Sequence, residues 1–332
     1  MKRSAGRYSF VLRAHVLLIL LAALAIAALS AGMRHVESGL ACTDRSSCYG
    51  RIGHGYGDPL PQAADFPRAA PVWAKRSHRV LAAALVLLTL ALVYRTRTSA
   101  PSPNARSIIP LLMLSLLLAL AVIGPLSHLK TRPIIATFNL LGGTALVASS
   151  WQLLLVLGKP GTFPVPPFLR AALRLGLLLL ALQIITGAWV SSNFAGLACH
   201  GIPGCAEASH AGSPSLDAAL NPLRELALDS NARVTTGGPA RTINLVHRAG
   251  ALFSALILFI ACVAAALARM PVRLWMPVAA LLALQCALGV ATLTSTLALS
   301  VVLAHSVVAT LLLLATMRLG HALEPATIRG RQ

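Results

Sequence analysis

The sequence predicts an all-α integral membrane protein: eight transmembrane helices arranged as two pseudo-symmetric four-helix bundles. Three observations predict it. Eight apolar segments are long enough to cross the hydrocarbon of a bilayer, which takes roughly 20 residues of helix. The chain is 57% hydrophobic and 11% charged, about half the charge of a soluble domain. A two-cysteine motif also occurs twice, at matching places relative to the helices. Backbone polar groups in lipid must be paired within their own segment, so the spans are helices rather than strands.

The first segment, 14–33, follows a basic start of Lys2, Arg3, Arg7 and Arg13. That pattern also suits a cleaved signal peptide. The apolar run from His15 to Met33 is longer than a signal h-region of roughly 7–15 residues, so a retained helix is expected. A long polar loop, 34–77, leads to the second segment, 78–95, which opens on His78-Arg79. Basic residues and prolines from Arg95 to Arg106 break the chain before the third segment, 108–128, and the fourth, 134–157. Lys159 to Pro167 makes the next break. The fifth segment, 168–192, then leads into a second long loop, 193–242. The sixth segment, 243–268, carries His247-Arg248 near its start; Arg269 to Arg273 separates it from the seventh, 272–293, and the eighth, 297–318, carries His305.

Charge sets the expected orientation. The chain holds 28 Lys plus Arg against 9 Asp plus Glu, a net charge of +19. The cations are scattered between apolar runs, which argues for basic loops on an anionic bilayer surface and against nucleic acid. The N-terminus, the loops 95–107, 158–170 and 269–273, and the C-terminus carry Lys and Arg with one acid, Glu324. The other acids (Glu37, Asp44, Asp58, Asp65, Glu207, Asp217, Glu225, Asp229) all fall in the two long loops. The positive-inside rule then puts both termini in the cytoplasm and the cysteine loops outside, periplasmic for a bacterial inner membrane.

The halves echo each other. Gly39-Leu40-Ala41-Cys42 is followed by Cys48, and Gly196-Leu197-Ala198-Cys199 by Cys205. Each motif precedes a His-Arg pair, and Gln183-x3-Gly187 recurs as Gln285-x3-Gly289. Offsets of about 157 to 169 residues indicate a duplicated unit, 1–160 and 161–332, with the repeats running parallel. Cys42/Cys48 and Cys199/Cys205 are expected as disulfides on the oxidising side. Free thiols or metal ligands are the alternatives, although the spacing does not suit a zinc site. Cys262 and Cys286, inside the sixth and seventh segments, read as packing residues.

Imidazoles within spans are costly and face the bundle interior. His247 and His305 are expected at comparable depth in the second half, where two neutral imidazoles from two helices suit the axial ligation of a haem iron. Gly250, Ala251 and Ser254 would give a flat ring room. A single histidine in a span more often just bonds a neighbouring helix; the pairing favours the ligand reading. In the first half His78 matches His247, but the counterpart of His305 falls on Asn139. His15 is given no role, and His35, His54, His200 and His210 read as outer-loop residues. No nucleophile elbow, phosphate loop, HExxH or dinucleotide fingerprint occurs, so any reductant must come from a partner.

The order G-L-A-C-x5-C, Ser77-His78-Arg79, Gly187-Ala188-Trp189-Val190-Ser191-Ser192-Asn193, the second G-L-A-C, Val246-His247-Arg248 and Ala304-His305-Ser306 resembles the haem A synthase family over nearly the whole chain. The resemblance implies haem b in the C-terminal unit, ligated by His247 and His305. It implies haem O as substrate in the N-terminal unit, with His78 as a ligand, and oxidation of a haem methyl to a formyl group to give haem A. It implies haem O synthase, cytochrome oxidase assembly factors and an electron donor as partners, and leaves homo-oligomerisation open. Two positions depart from the family pattern: Lys75 stands where the family has Glu, and Asn139 where it has His. Glu37, beside the first G-L-A-C, is the alternative source of a carboxylate. Two further readings stay open: a haem-binding assembly protein with impaired catalysis, and a haem-free scaffold or transporter.

Overall fold

Apolar runs that must pair their own backbone groups fold as helices, and the computed structural model has eight such helices among the described residues, with mean hydropathies from 1.7 to 2.6. Residues 2–42, 44–52, 69–98, 108–158, 163–199, 205, 215–230, 232–235 and 237–323 are described, with backbone only for 2–9, 46 and 47. The spans are α1 (Lys2–Glu37), α3 (Val72–Thr98), α4 (Ile109–Ile123), α5 (Pro133–Gly158), α6 (Pro167–Ser192), α8 (Gly238–Leu267), α9 (Val272–Thr294) and α10 (Leu299–Ala322). Two short helices, α2 (Arg45–Cys48) and α7 (Leu216–Leu220), lie in the long loops. No strand forms among the described residues beyond isolated bridges. The protein is a multi-pass, all-helical membrane protein.

Helix ends follow local chemistry. Pro stands in the first turn of α4, α6 and α8, where its missing N–H costs nothing. α4 tightens into a 3₁₀ turn at Gly124–His128, where Pro125 cannot donate the next helical bond. α1 runs to Glu37 and stops at Gly39, whose φ is +95°. There Leu40 N–H donates to His35 O (3.1 Å) and Gly39 N–H to Val36 O (3.1 Å), the two bonds of a Schellman cap. His35 is therefore in the last turn of α1 and 3% exposed, not in an outer loop as the sequence suggested. His54, His200 and His210, and much of the basic loops 95–107 and 158–170, lie outside the described residues.

Packing follows a repeated order. α1 packs against α3 and α5, and α4 closes on α3 and α5. In the same order α6 packs against α8 and α10, and α9 closes on α8 and α10. The first set is held by Leu12, Val16, Ile19, Leu85, Leu92 and Leu153, the second by Leu169, Leu180, Leu258, Val278, Leu312 and Leu319. Glycines bring helices close, as membrane helices need when lipid is as apolar as their side chains. A Cβ on Gly142 would lie 2.6 Å from Leu120 Cδ2, and one on Gly176 would lie 2.7 Å from Leu258 Cδ2. α5 joins the sets by packing on α6 and α10, with Trp151 Nε1 donating to Leu314 O at 2.8 Å.

At the cysteine end the two long loops meet. Ile52 N–H donates to Ala232 O (3.0 Å) and Val234 N–H to Gly50 O (2.9 Å). Ile52, Leu226 and Val234 bury one another beneath these bonds, against Phe194.

Candidate functional site

Two histidines of the second set sit in matching cradles. His247, on α8, faces α6. Gln183 Nε2 lies 2.9 Å from its Nδ1 and 3.3 Å from its Nε2, and donates to the His247 carbonyl at 3.0 Å. Thr186 Oγ1 stands 3.0 Å from the same Nδ1. One turn beyond Gln183 is Gly187, where a Cβ would come 3.1 Å from His247 Cε1. His305, on α10, faces α9 in the same way. Gln285 Nε2 lies 3.3 Å from its Nδ1 and 3.2 Å from its Nε2, and a Cβ on Gly289 would come 3.5 Å from its Cε1.

The Gln-x3-Gly echo therefore has a physical meaning that its spacing alone did not state. Residues four apart share a helix face. The Gln holds the ring nitrogens, and the Gly leaves room for the ring edge. In the sequence Gln183 and Gln285 stand out only as a repeat, with no role attached, and Thr186, matched by Leu288 in the second copy, carries no signal at all. Gly250 makes room for Gln183, whose Oε1 would stand 2.6 Å from a Cβ there.

The first set is built differently. His78 lies half-buried on α3, with Lys75 exposed one turn before it. Lys75 Nζ pairs with Glu37 Oε1 at 3.1 Å, and Glu37 also accepts from Ala70 N–H at 3.3 Å. Asn139, on α5, donates from Nδ2 to Ser127 Oγ at 3.1 Å. Among the described residues no hydrogen bond joins His78 to Lys75 or Asn139. No group of three or more His, Cys, Asp or Glu gathers in metal-ligand fashion among them either.

Both cysteine pairs are disulfides, with Cα–Cα distances of 6.3 Å for Cys42–Cys48 and 4.7 Å for Cys199–Cys205. Arg248, the neighbour of His247, donates to Cys199 O at 3.0 Å, and Arg241 donates to Cys205 O at 3.2 Å. The second cystine is thereby tied to the helix that carries His247. Cys262 is buried as expected, whereas Cys286 lies exposed on the bundle surface. Under the loops, Arg34 bonds Ser191 across the two sets, and Tyr49 packs edge-on against Phe194 at 5.7 Å. Burial pushes the Tyr49 phenol up to about 12, against the smaller opposing effects of its bond to the Gly196 backbone and the Arg34 charge.

The family model described as cytochrome oxidase assembly protein (COX15-CtaA) matches residues 13–317. The chain belongs to this family. The match spans all eight helices in whole or in part, and it contains His78, Asn139, His247, His305 and both cysteine pairs. Among curated proteins, a Heme A synthase of Shewanella oneidensis is 28% identical over 305 residues, covering 86% of this chain and 89% of that protein.

Proposed function

We propose that this protein is a haem A synthase-type oxidoreductase that converts haem O to haem A, by methyl-to-formyl oxidation, for cytochrome oxidase biogenesis. In this reading the chain is two four-helix units, 1–160 and 161–332. It lies in a bacterial inner membrane with its termini cytoplasmic and its cystine loops periplasmic. The observation that carries the reading is the pair of Gln–His–Gly cradles. Thr186 Oγ1 can accept from His247 Nδ1–H, the contact that leaves Nε2 for an iron, while Gln183 Nε2 lies near both ring nitrogens. His247 and His305 would hold haem b from two helices of one unit, and that group would supply electron transfer to the reacting unit. Haem O, the substrate, would meet His78 in the other unit. The sequence carries no nucleotide motif, so the electron partner is a separate protein or a small redox molecule. Co-expression with a haem O synthase, followed by analysis of extracted haems, tests the reading. Haem A is expected, and haem O alone from well-folded protein would overturn it.

One observation favours a second reading, a haem-binding assembly protein with impaired catalysis. Lys75 is committed to Glu37, and Asn139 to Ser127, at the two positions that depart from the family pattern. The ion pair also brings the Glu37 carboxylate to within one residue's reach of the place where the family carries its own. On the first reading Glu37 takes over that role, and Glu37→Gln would lower haem A yield while leaving the haem b spectrum intact. On the second reading Glu37→Gln changes neither.

A further inference from the structure

The loop of the first cystine does not close over its own half. Arg45, in the Cys42–Cys48 ring, crosses to the turn between α9 and α10. Its Nε donates to Thr296 O at 3.0 Å, and its Nη2 to Ser295 O at 3.0 Å and Thr296 Oγ1 at 3.3 Å. Beneath it Leu40 and Tyr49, on either side of that ring, bury Leu297, with Leu299 and Val302 packed alongside. Val302 stands one turn before His305 on α10.

The turn needs such support. Thr296 and Leu297 are consecutive non-glycine residues with φ of 47° and 60°. Left-handed backbone costs roughly 1–2 kcal/mol per residue and persists where the surroundings over-determine it. The Arg45 fork grips the two carbonyls that begin the left-handed stretch. Gly196 of the second G-L-A-C lets Leu297 in, since a Cβ there would lie 2.8 Å from Leu297 Cδ1.

The other long loop crosses in the opposite direction. Leu226 N–H donates to Thr131 O at 2.9 Å, and Glu225 Oε1 accepts from Thr131 Oγ1 at 3.3 Å and lies 3.9 Å from Arg132 Nε. Thr131 and Arg132 form the turn before α5, which stands to α5 as 295–297 stands to α10. Each half's long loop thus holds the turn that launches the last helix of the other half.

We infer that Arg45 is a positioning residue for His305, and that the Cys42–Cys48 ring serves the C-terminal site rather than the His78 site of its own half. This rests on the reading of His247 and His305 as haem ligands, and its test separates the two. Hydrogen exchange of full-length protein in detergent is compared among wild type, Arg45→Ala, Arg45→Lys and the Cys42→Ser/Cys48→Ser pair. Losing the three charge-assisted bonds of Arg45 in a partly solvated turn should speed exchange across 293–303 about tenfold in Arg45→Ala and in the cysteine pair. Arg45→Lys should fall between, because an ammonium cannot fork across two carbonyls. Glu225→Ala should speed 129–135 instead. Unchanged exchange at 293–303, or a rise confined to 129–139, would overturn the inference. In a His78→Ala background, transfer of haem from the protein to excess apomyoglobin should be about tenfold faster with Arg45→Ala, reporting the same loosening at His305. If wild type holds no haem at all, the ligand reading fails, and the exchange result still decides whether Arg45 positions α10.

Discussion

His247 and His305 owe their orientation to side chains on a neighbouring helix, and the two cradles differ by a few tenths of an ångström in tolerance. A Cβ at position 187 would meet the His247 ring at 3.1 Å, tighter than ordinary contact, whereas one at 289 would meet His305 at 3.5 Å, which is ordinary contact. Gly187→Ala is therefore expected to displace the imidazole and, if His247 and His305 hold a haem, to alter its visible spectrum, and Gly289→Ala to leave it nearly unchanged; equal effects would refute this ranking. Gln183→Ala should cost about 1–2 kcal/mol of thermal stability, because it strips a part-buried ring and a backbone carbonyl of one partner. Tyr49 sets a pH limit. Its phenol titrates at about 12 in the folded protein against 10.0 normally, so the folded state holds the proton more tightly. The resulting stability is complete below about pH 10 and is lost as pH rises toward about 12. Thermal melts across that range should show the loss in wild type and a flatter limb in Tyr49→Phe.

At the scale of elements, the two G-L-A-C motifs are alike in sequence and unlike in use. Gly39 ends α1 with a φ of +95°, and a Cβ there would lie 2.5 Å from the Cys48 carbonyl oxygen. Gly196 instead admits Leu297 and the Tyr49 hydroxyl, both side-chain atoms, at 2.8 and 3.2 Å. Backbone cannot yield where a side chain can, so Gly39→Ala should be the more destabilising of the two by about 1–2 kcal/mol, the cost of left-handed backbone. Melting of the two variants under identical detergent conditions checks the order. The helix ends teach the same lesson: α6 stops through Phe194 at φ 53°, two residues short of the place where its counterpart uses glycine.

At the scale of the molecule, the Glu37–Lys75 pair ties the end of α1 to the start of α3 across the first long loop. Its side chains are 28% and 46% exposed, so it contributes no more than about 1 kcal/mol. Lys75→Glu alone would set two carboxylates against each other and lower stability slightly. Glu37→Lys combined with Lys75→Glu should restore it while moving the carboxylate onto the His78 helix. A double-mutant cycle read by thermal melting measures the coupling, and a coupling of zero would show that the pair contributes nothing to stability. If the first unit is active, the swapped protein should retain haem A production in the co-expression assay.

The sequence alone determined the number of spans, the helical class, the family resemblance and the histidines at issue, and it favoured two cystines over free thiols or metal ligands. These follow from local rules: apolar length against bilayer thickness, backbone pairing in lipid, and cysteine spacing in loops. It left other things undecided because they depend on which helix faces which. Nothing local says that Gln183 and Gln285 reach across to the imidazoles, that His35 is buried in α1, or that Lys75 meets Glu37. The crossing of each long loop onto the opposite half is further still from local reach, since Arg45 and Thr296 lie 251 residues apart and come together only when both helix sets have packed.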